Sequence, residues 1–204
     1  MTVIAPDAAP RFAPAPSVST IRTQDELASL VRAGLDTLDA RIRHLSATLP
    51  TERWTTRRAD GGWSVGELVE HLCLANADYQ RPMHAMVDAG APARSTDGRW
   101  RASLMGGLLR RSMETTRKLP APREIRPGRE ARAGVVDALV ATHDEVGALM
   151  TRAAPLDWRR LRMSSPWARL VRLNFGDTCL VILRHGERHT AQAERLAATL
   201  LGAR

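Results

Sequence analysis

Two histidines one helical turn apart are the first residues in this chain whose spacing could do chemistry. They lie in the run His185-Gly186-Glu187-Arg188-His189. On a helix of 3.6 residues per turn, positions i and i+4 differ by only ~40° around the axis. The two rings therefore share a face and can converge on one ion. Val181, Gln192 and Leu196 fall on the same face, so the pair interrupts a stripe that otherwise reads as core-facing. Imidazoles in a core need hydrogen-bond partners or a metal. The pattern is not the HExxH of zinc proteases. Glu187 stands two positions after the first histidine and points away, so it is not assigned as a general base. A helical HxxxH by itself is a weak sign of a metal site.

A third imidazole, His71, lies in Gly66-Glu67-Leu68-Val69-Glu70-His71-Leu72. It sits ~100° around the helix from Leu72, on the flank of the apolar stripe. Ala75, one turn on, is small and leaves space. Alone, His71 reads as an ordinary semi-buried histidine. Opposite the pair, it completes three neutral nitrogen ligands. Three protein ligands with open positions form the catalytic type of divalent-ion site. The other titratable candidates carry less. His143, in Thr142-His143-Asp144-Glu145, reads as a surface histidine beside two acids, with a fourth ligand as the lesser reading. His44 and His84 read as exposed. Cys73 and Cys179 lie ~200° and ~120° around their helices from His71 and His185, and read as small core hydrophobes. Gln192, one turn past His189, is placed either to hold a ring or metal-bound water or to pack the helix.

Four long amphipathic patterns must position these residues. The first runs from about Thr23 to Thr48, with Leu27, Leu30, Val31, Leu35, Leu38, Ile42 and Leu45 at three- and four-residue steps. Pro50 ends it. The second begins at Ser64, where Glu67 stands three residues on as a capping box and Trp63 and Leu68 form the hydrophobic staple. Pro82 lies inside this pattern and is expected to kink or end the helix. A crossover from Ala89 to about Gly128 follows. In it Trp100, Leu104, Leu108 and Leu109 suggest an extra, arginine-rich helix. The third main helix is expected from about Arg129 to Ala153. An irregular link spans Pro155 to Asn174, with no convincing pair of alternating strands. The fourth helix is expected from about Asp177 to Leu200. The fold class is therefore all-α, a four-helix bundle with one long crossover, an architecture that builds metal sites between facing helices. Trp54 and Trp63 are expected to pack the bundle end rather than stack nucleotides.

The segments GGWSVGELVEHL and LRHGERHTAQAERL together resemble the DinB-like superfamily, the DinB/YfiT-like metalloenzymes. The resemblance covers about residues 22 to 202. Its motif is a Trp-Ser start to the second helix with a histidine one to two turns in, then HxxxHxxQ on the fourth. Trp63, Ser64, His71, His185, His189 and Gln192 all match it. The resemblance implies an up-down-down-up bundle with a divalent metal, typically zinc or nickel, on His71, His185 and His189. It also implies transfer of a low-molecular-weight thiol to an electrophile. The Pro/Ala tail and the long arginine-rich crossover depart from the pattern; they leave the ligands intact.

Composition sets the remaining bounds. Of 204 residues, 44% are apolar and 25% charged, which excludes a largely disordered chain. Two cysteines exclude a disulfide scaffold and a Cys-rich zinc module. No apolar run approaches the ~18–20 residues of a membrane span, and no signal-peptide pattern opens the chain. A reducing, cytoplasmic setting is expected. Residues 1–18 form a Pro/Ala-rich tail, expected to be disordered, and residues 19–204 one domain. Lys+Arg number 30 against 22 Asp+Glu, a net +8. Most of that excess falls between Arg94 and Arg132. The stretch is broken by Pro120, Pro122 and Pro127 and has no aromatic interleaving beyond Trp100. It is therefore expected to shape access to the metal site or an interface and not to bind nucleic acid specifically. The expected function is that of a metal-dependent transferase of the thiol-transferring kind, or a hydrolase, acting on a small molecule; a homodimer is an admitted assembly. The reading from another class is a non-catalytic helical module that binds metal or an anionic partner.

Overall fold

A computed structural model describes residues 21–58, 60–108, 121–128 and 133–202. The Pro/Ala tail at 1–18 lies outside them. The main elements are α1 (Gln24–Thr48), α2 (Thr51–Trp54), α3 (Val65–Ala89), α4 (Val135–Ala153), a hairpin of β1 (Arg162–Ser165) and β2 (Ala168–Asn174), and α5 (Phe175–Leu200). Most of the described chain is helical, and α1, α3, α4 and α5 form the bundle. A 3₁₀ turn, Arg123–Ile125, lies in the crossover.

Three of the four long helices start where the sequence supplies a side-chain cap. Thr23, Ser64 and Asn174 each accept from the backbone three residues on, and Glu26, Glu67 and Asp177 return the bond. These reciprocal bonds satisfy donors that a helix start leaves orphaned. Helix α4 has no such box. It opens from Gly134, whose φ of 70° is a left-handed conformation open to glycine; residues 129–132 of the expected helix lie outside the described ones.

The side-chain bonds fix the direction of each helix. Along α3 and α4, Asn76 meets Thr142 and Asp88 meets Arg152, so these two run parallel. Along α1 and α5, Gly34 faces Leu183 and Arg41 pairs with Glu194, so these also run parallel. Between α1 and α4 the order reverses: Arg32 reaches Thr151, and Arg43 reaches Asp137. The topology is up-down-down-up, and the crossover is what allows two consecutive helices to run the same way.

Two glycines set the α1–α5 spacing. A Cβ on Gly34 would stand 2.6 Å from Leu183 Cδ1, and one on Gly186 2.6 Å from Leu38 Cδ1. Leu38 and Leu183 are both fully buried, so neither can swing clear. Gly34→Ala is expected to cost about 1–3 kcal/mol by overpacking, read as a lower midpoint in urea with an unchanged slope. An unchanged midpoint would show that the helices part freely.

Three expectations are corrected. Helix α3 does not end at Pro82; it continues to Ala89. The lost bond and ring clash cost ~3 kcal/mol, but Tyr79, Met83, Met86 and Val87 are all buried on both sides of the proline, and burying such side chains returns about 1.5–3 kcal/mol each. The link after α4 is not irregular throughout. It forms the β1–β2 hairpin, in which Met163 pairs with Leu173 and Ser165 with Ala168 across a bulge. In the crossover, Trp100 is buried and residues 104–108 are helical, yet Leu104 and Leu108 are exposed; Leu109 lies outside the described residues. Trp54 and Trp63 do pack the bundle end, against Leu45, Leu49, Val65 and Leu196.

Candidate metal centre

His71 projects from α3 and His185 and His189 from α5. The fold brings all three together. One ring nitrogen from each lies within 4.8 Å of the other two, and the Nε2 atoms of His71 and His185 are 3.2 Å apart. Two nitrogens bound to one ion at ~2.0–2.1 Å each stand about 3 Å apart, so the spacing of His71 and His185 matches that of two ligands on one ion. The ring centroids are 4.6–5.0 Å apart and the ring planes cross at 74–83°. The rings meet edge to face around a common point.

Hydrogen bonds select the tautomers. His71 Nδ1 donates to the Ile125 carbonyl at 2.7 Å, leaving the Nε2 lone pair aimed at the cluster. His189 Nδ1 donates to Gln192 Oε1 at 3.2 Å, with the same result. Such partners fix ring orientation and raise ligand basicity. Gln192 thus takes the ring-holding role that its spacing allowed. Ile125 was not legible in the sequence. It is buried in the 3₁₀ turn of the crossover, so the crossover builds one wall of the centre.

The rings are held neutral. Burial lowers the pKa of His71 despite the bond to Ile125. Burial drives His185 well below the usual histidine range, helped by the neighbouring His189, His71 and Arg188. Burial, then His71 and Arg188, takes His189 down to about 3. Neutral imidazole is the metal-binding form. His71 is buried, whereas His185 and His189 are half-buried as residues. Trp63 tilts against the His71 ring at 4.7 Å, and Trp167 stands 6.2 Å from the His185 ring. Trp167 sits at the hairpin turn and is tied down by donating Nε1 to Asp78 Oδ2 at 3.1 Å. The two indoles flank the centre, a feature that sequence spacing did not show.

The family model of the DinB superfamily matches residues 34–193, a span that contains all three histidines, Gln192, all of α3 and α4 and most of α1 and α5. The chain belongs to the DinB superfamily. No curated protein and no solved structure matches it. Within this DinB protein the donor set of His71, His185 and His189 could hold a divalent ion, and it is the only such group among the described residues.

The remaining candidates fall elsewhere. Cys73 and Cys179 are buried and form no disulfide, and burial pushes the Cys179 thiol far up, which suits a core side chain and not a nucleophile. His44 is exposed as expected. His84 is half-buried and pairs with Glu145 at 2.8 Å. His143 is not a surface residue: it is buried, with Nδ1 2.6 Å from Asp39 Oδ1. Its sequence neighbours misled, because its partner comes from α1. Glu187 pairs with Arg184 at 2.6 Å and takes no part in the cluster. No helix among the described residues is long and apolar enough to cross a membrane.

The lowered histidine pKa values predict an acid response. The unfolded chain takes up protons near pH 6.5 that the folded cluster refuses, so stability is complete above that value. It is lost as the pH falls through the window from about 6.5 toward the folded value, about 3 for His189. Proton competition for the ligand lone pairs sets in only as the pH approaches the folded values, so metal affinity of the folded chain should hold through most of this window and fall near its lower end. Chemical unfolding of the metal-free chain at pH 7.5, 6 and 5 checks this. Stability that rises on acidification would show that the rings are charged in the fold.

Proposed function

We propose that this DinB protein is a metal-dependent enzyme in which His71, His185 and His189 hold one divalent ion, zinc or nickel, and which transfers a low-molecular-weight thiol to an electrophilic small molecule. The observation that carries the reading is the convergence of three neutral imidazoles, two of them with their tautomers fixed from behind. When bound to such a donor set, a divalent ion keeps its full charge and lowers the pKa of a coordinated thiol or water toward neutrality. Everything else falls to the chain. Ile125 and Gln192 hold the rings in register. Trp63 and Trp167 offer apolar walls for the electrophile. The domain at 19–204 would work in a reducing cytoplasm, where the two cysteines stay reduced.

A non-catalytic role for the ion is disfavoured by the packing. Helices α3 and α5 already meet through Val65, Leu68, Ala193 and Leu196, so no ion is needed to join them. The deciding experiment is metal analysis of the purified chain, followed by a screen of thiol and electrophile pairs with the loaded protein. One ion per chain and a thioether product that needs it are expected. Stoichiometric metal with no turnover across thiols, and none across hydrolysable esters and amides, would leave a binding module.

A further inference from the structure

The hairpin that carries Trp167 to the metal centre has a second face, turned to solvent. Residues 158–174 hold five arginines, Arg159, Arg160, Arg162, Arg169 and Arg172, and no acid. Asp157, just before β1, pairs with Arg159 at 2.9 Å. The other four are exposed, and none of them pairs with a carboxylate among the described residues. Arg162 stands opposite Asn174, and Ser164 opposite Arg172. Arg162 and Arg172 are therefore diagonal neighbours on the outward face, within reach of each other's charge. The fold gains nothing from placing these like charges together.

The ribbon also turns an apolar side chain the wrong way. Its pairing jumps from Ser164 with Arg172 to Ser165 with Ala168, which leaves Arg169, Leu170 and Val171 outside the ladder. Such bulges re-aim side chains. Val171 packs on the core, whereas Leu170 is thrust out, 95% exposed. Among the described residues the exposed large apolar side chains are Leu104, Leu108, Leu170 and Leu201. The first three lie in the two arginine-rich stretches, the crossover and the hairpin. These stretches meet at the start of α5, where Asn174 accepts from Trp100 Nε1 and donates to the Arg101 carbonyl.

Cations around an exposed leucine define the partner. A nucleic-acid backbone would take the guanidinium groups and gain little from Leu170. A second copy of the ribbon would set arginine against arginine. A bilayer with anionic headgroups pairs the charge and also removes the leucine from water. We propose that the outer face of the β1–β2 hairpin docks on an anionic phospholipid surface, with Arg162, Arg169 and Arg172 against the headgroups and Leu170 inserted among them. With so few anchors the docking is peripheral, reversible and sensitive to salt.

The test is flotation of the full chain with vesicles of phosphatidylglycerol and phosphatidylcholine in equal parts, against phosphatidylcholine alone, at ~0.1 M salt. Binding to the anionic vesicles and not to the neutral ones is expected, with release at ~1 M salt. A basic residue near an anionic surface is worth about fivefold in affinity, so the double variant Arg169→Gln, Arg172→Gln should bind about 25-fold more weakly. Leu170→Ser should bind at least about fivefold more weakly. Leu201→Ser, a control outside the basic stretches, should bind as the parent does. All these positions are exposed, so the substitutions leave the core untouched. The proposal is overturned if anionic vesicles fail to bind, if neutral vesicles bind equally, or if the hairpin variants bind as tightly as the parent. It is also overturned if mixed-sequence duplex DNA strips the protein from the vesicles and binds Leu170→Ser as well as the parent, which would make the face a phosphate-backbone surface.

Discussion

Replacing His185 by Ala is expected to reduce the metal content of the purified protein from one ion per chain to background while the far-ultraviolet circular dichroism stays helical. His185 supplies the nitrogen that stands 3.2 Å from that of His71, so its loss removes one of the three converging nitrogens. Loss of an outer partner of a ligand typically costs 10–100-fold in metal affinity; loss of the ligand itself should cost more than ~100-fold. Gln192→Ala, which removes only the partner of His189, should fall at the ~10-fold end of that range. The fold should survive because the apolar clusters of α1, α3 and α5 do not run through the histidines. Removing a half-buried imidazole also removes a polar group that is costly to desolvate. The thermal midpoint of metal-free His185→Ala should therefore not fall below that of the metal-free parent. If the variant unfolds and chelators melt the parent, the ion is structural and the enzyme reading fails.

The second large effect lies at the start of α5. Asp177 is buried, accepts from Ser103 N at 3.1 Å and from Asn174 N at 3.0 Å, and gives its own N–H to Asn174 Oδ1 at 2.8 Å. One carboxylate thus closes the cap of α5 and anchors the crossover beside the helical stretch at 104–108. Burial raises its pKa, against the pull of those bonds. Asp177→Ala would leave the buried Asn174 N–H unsatisfied and the half-buried Ser103 N–H without its partner, at about 1–3 kcal/mol each. A loss of about 3 kcal/mol or more in urea unfolding is expected. Asp177→Asn, which keeps one acceptor oxygen, should lose clearly less. A drop under ~1 kcal/mol for the alanine would mean that Ser103 and Asn174 find other partners.

Where local rules acted alone, the sequence was readable. Ser64 and Glu67 announced the start of α3, and the model shows both halves of the capping box. Periodicity located α1 and α5 to within two residues. The HxxxH pair read directly because one helix fixes both rings. What could not be read depended on partners far along the chain. His143 looked solvated beside Asp144 and Glu145, yet its partner Asp39 is 104 positions away. Ile125 carries no side-chain chemistry; only its carbonyl matters, and its position depends on how the crossover folds back. The hairpin was missed because β2 lacks an apolar alternation: its first three residues, including Leu170, are exposed. Of the two effects expected of Pro82, ending the helix did not occur, because buried side chains on both sides of it hold α3 together.

The parallel pairing of α1 with α5 has a consequence for how the chain reaches this state. Arg41 and Glu194 are 153 positions apart, and His71 and His185 are 114 apart. Contacts of such separation carry a loop-closure cost before they return anything, and chains that depend on them fold more slowly than those built from local pairs. During synthesis α1, α3 and α4 are complete before α5 emerges, and the apolar face that α5 will cover stays open until then. The last bundle helix brings two of the three imidazoles with it, so the metal centre forms no earlier than the closing of the bundle.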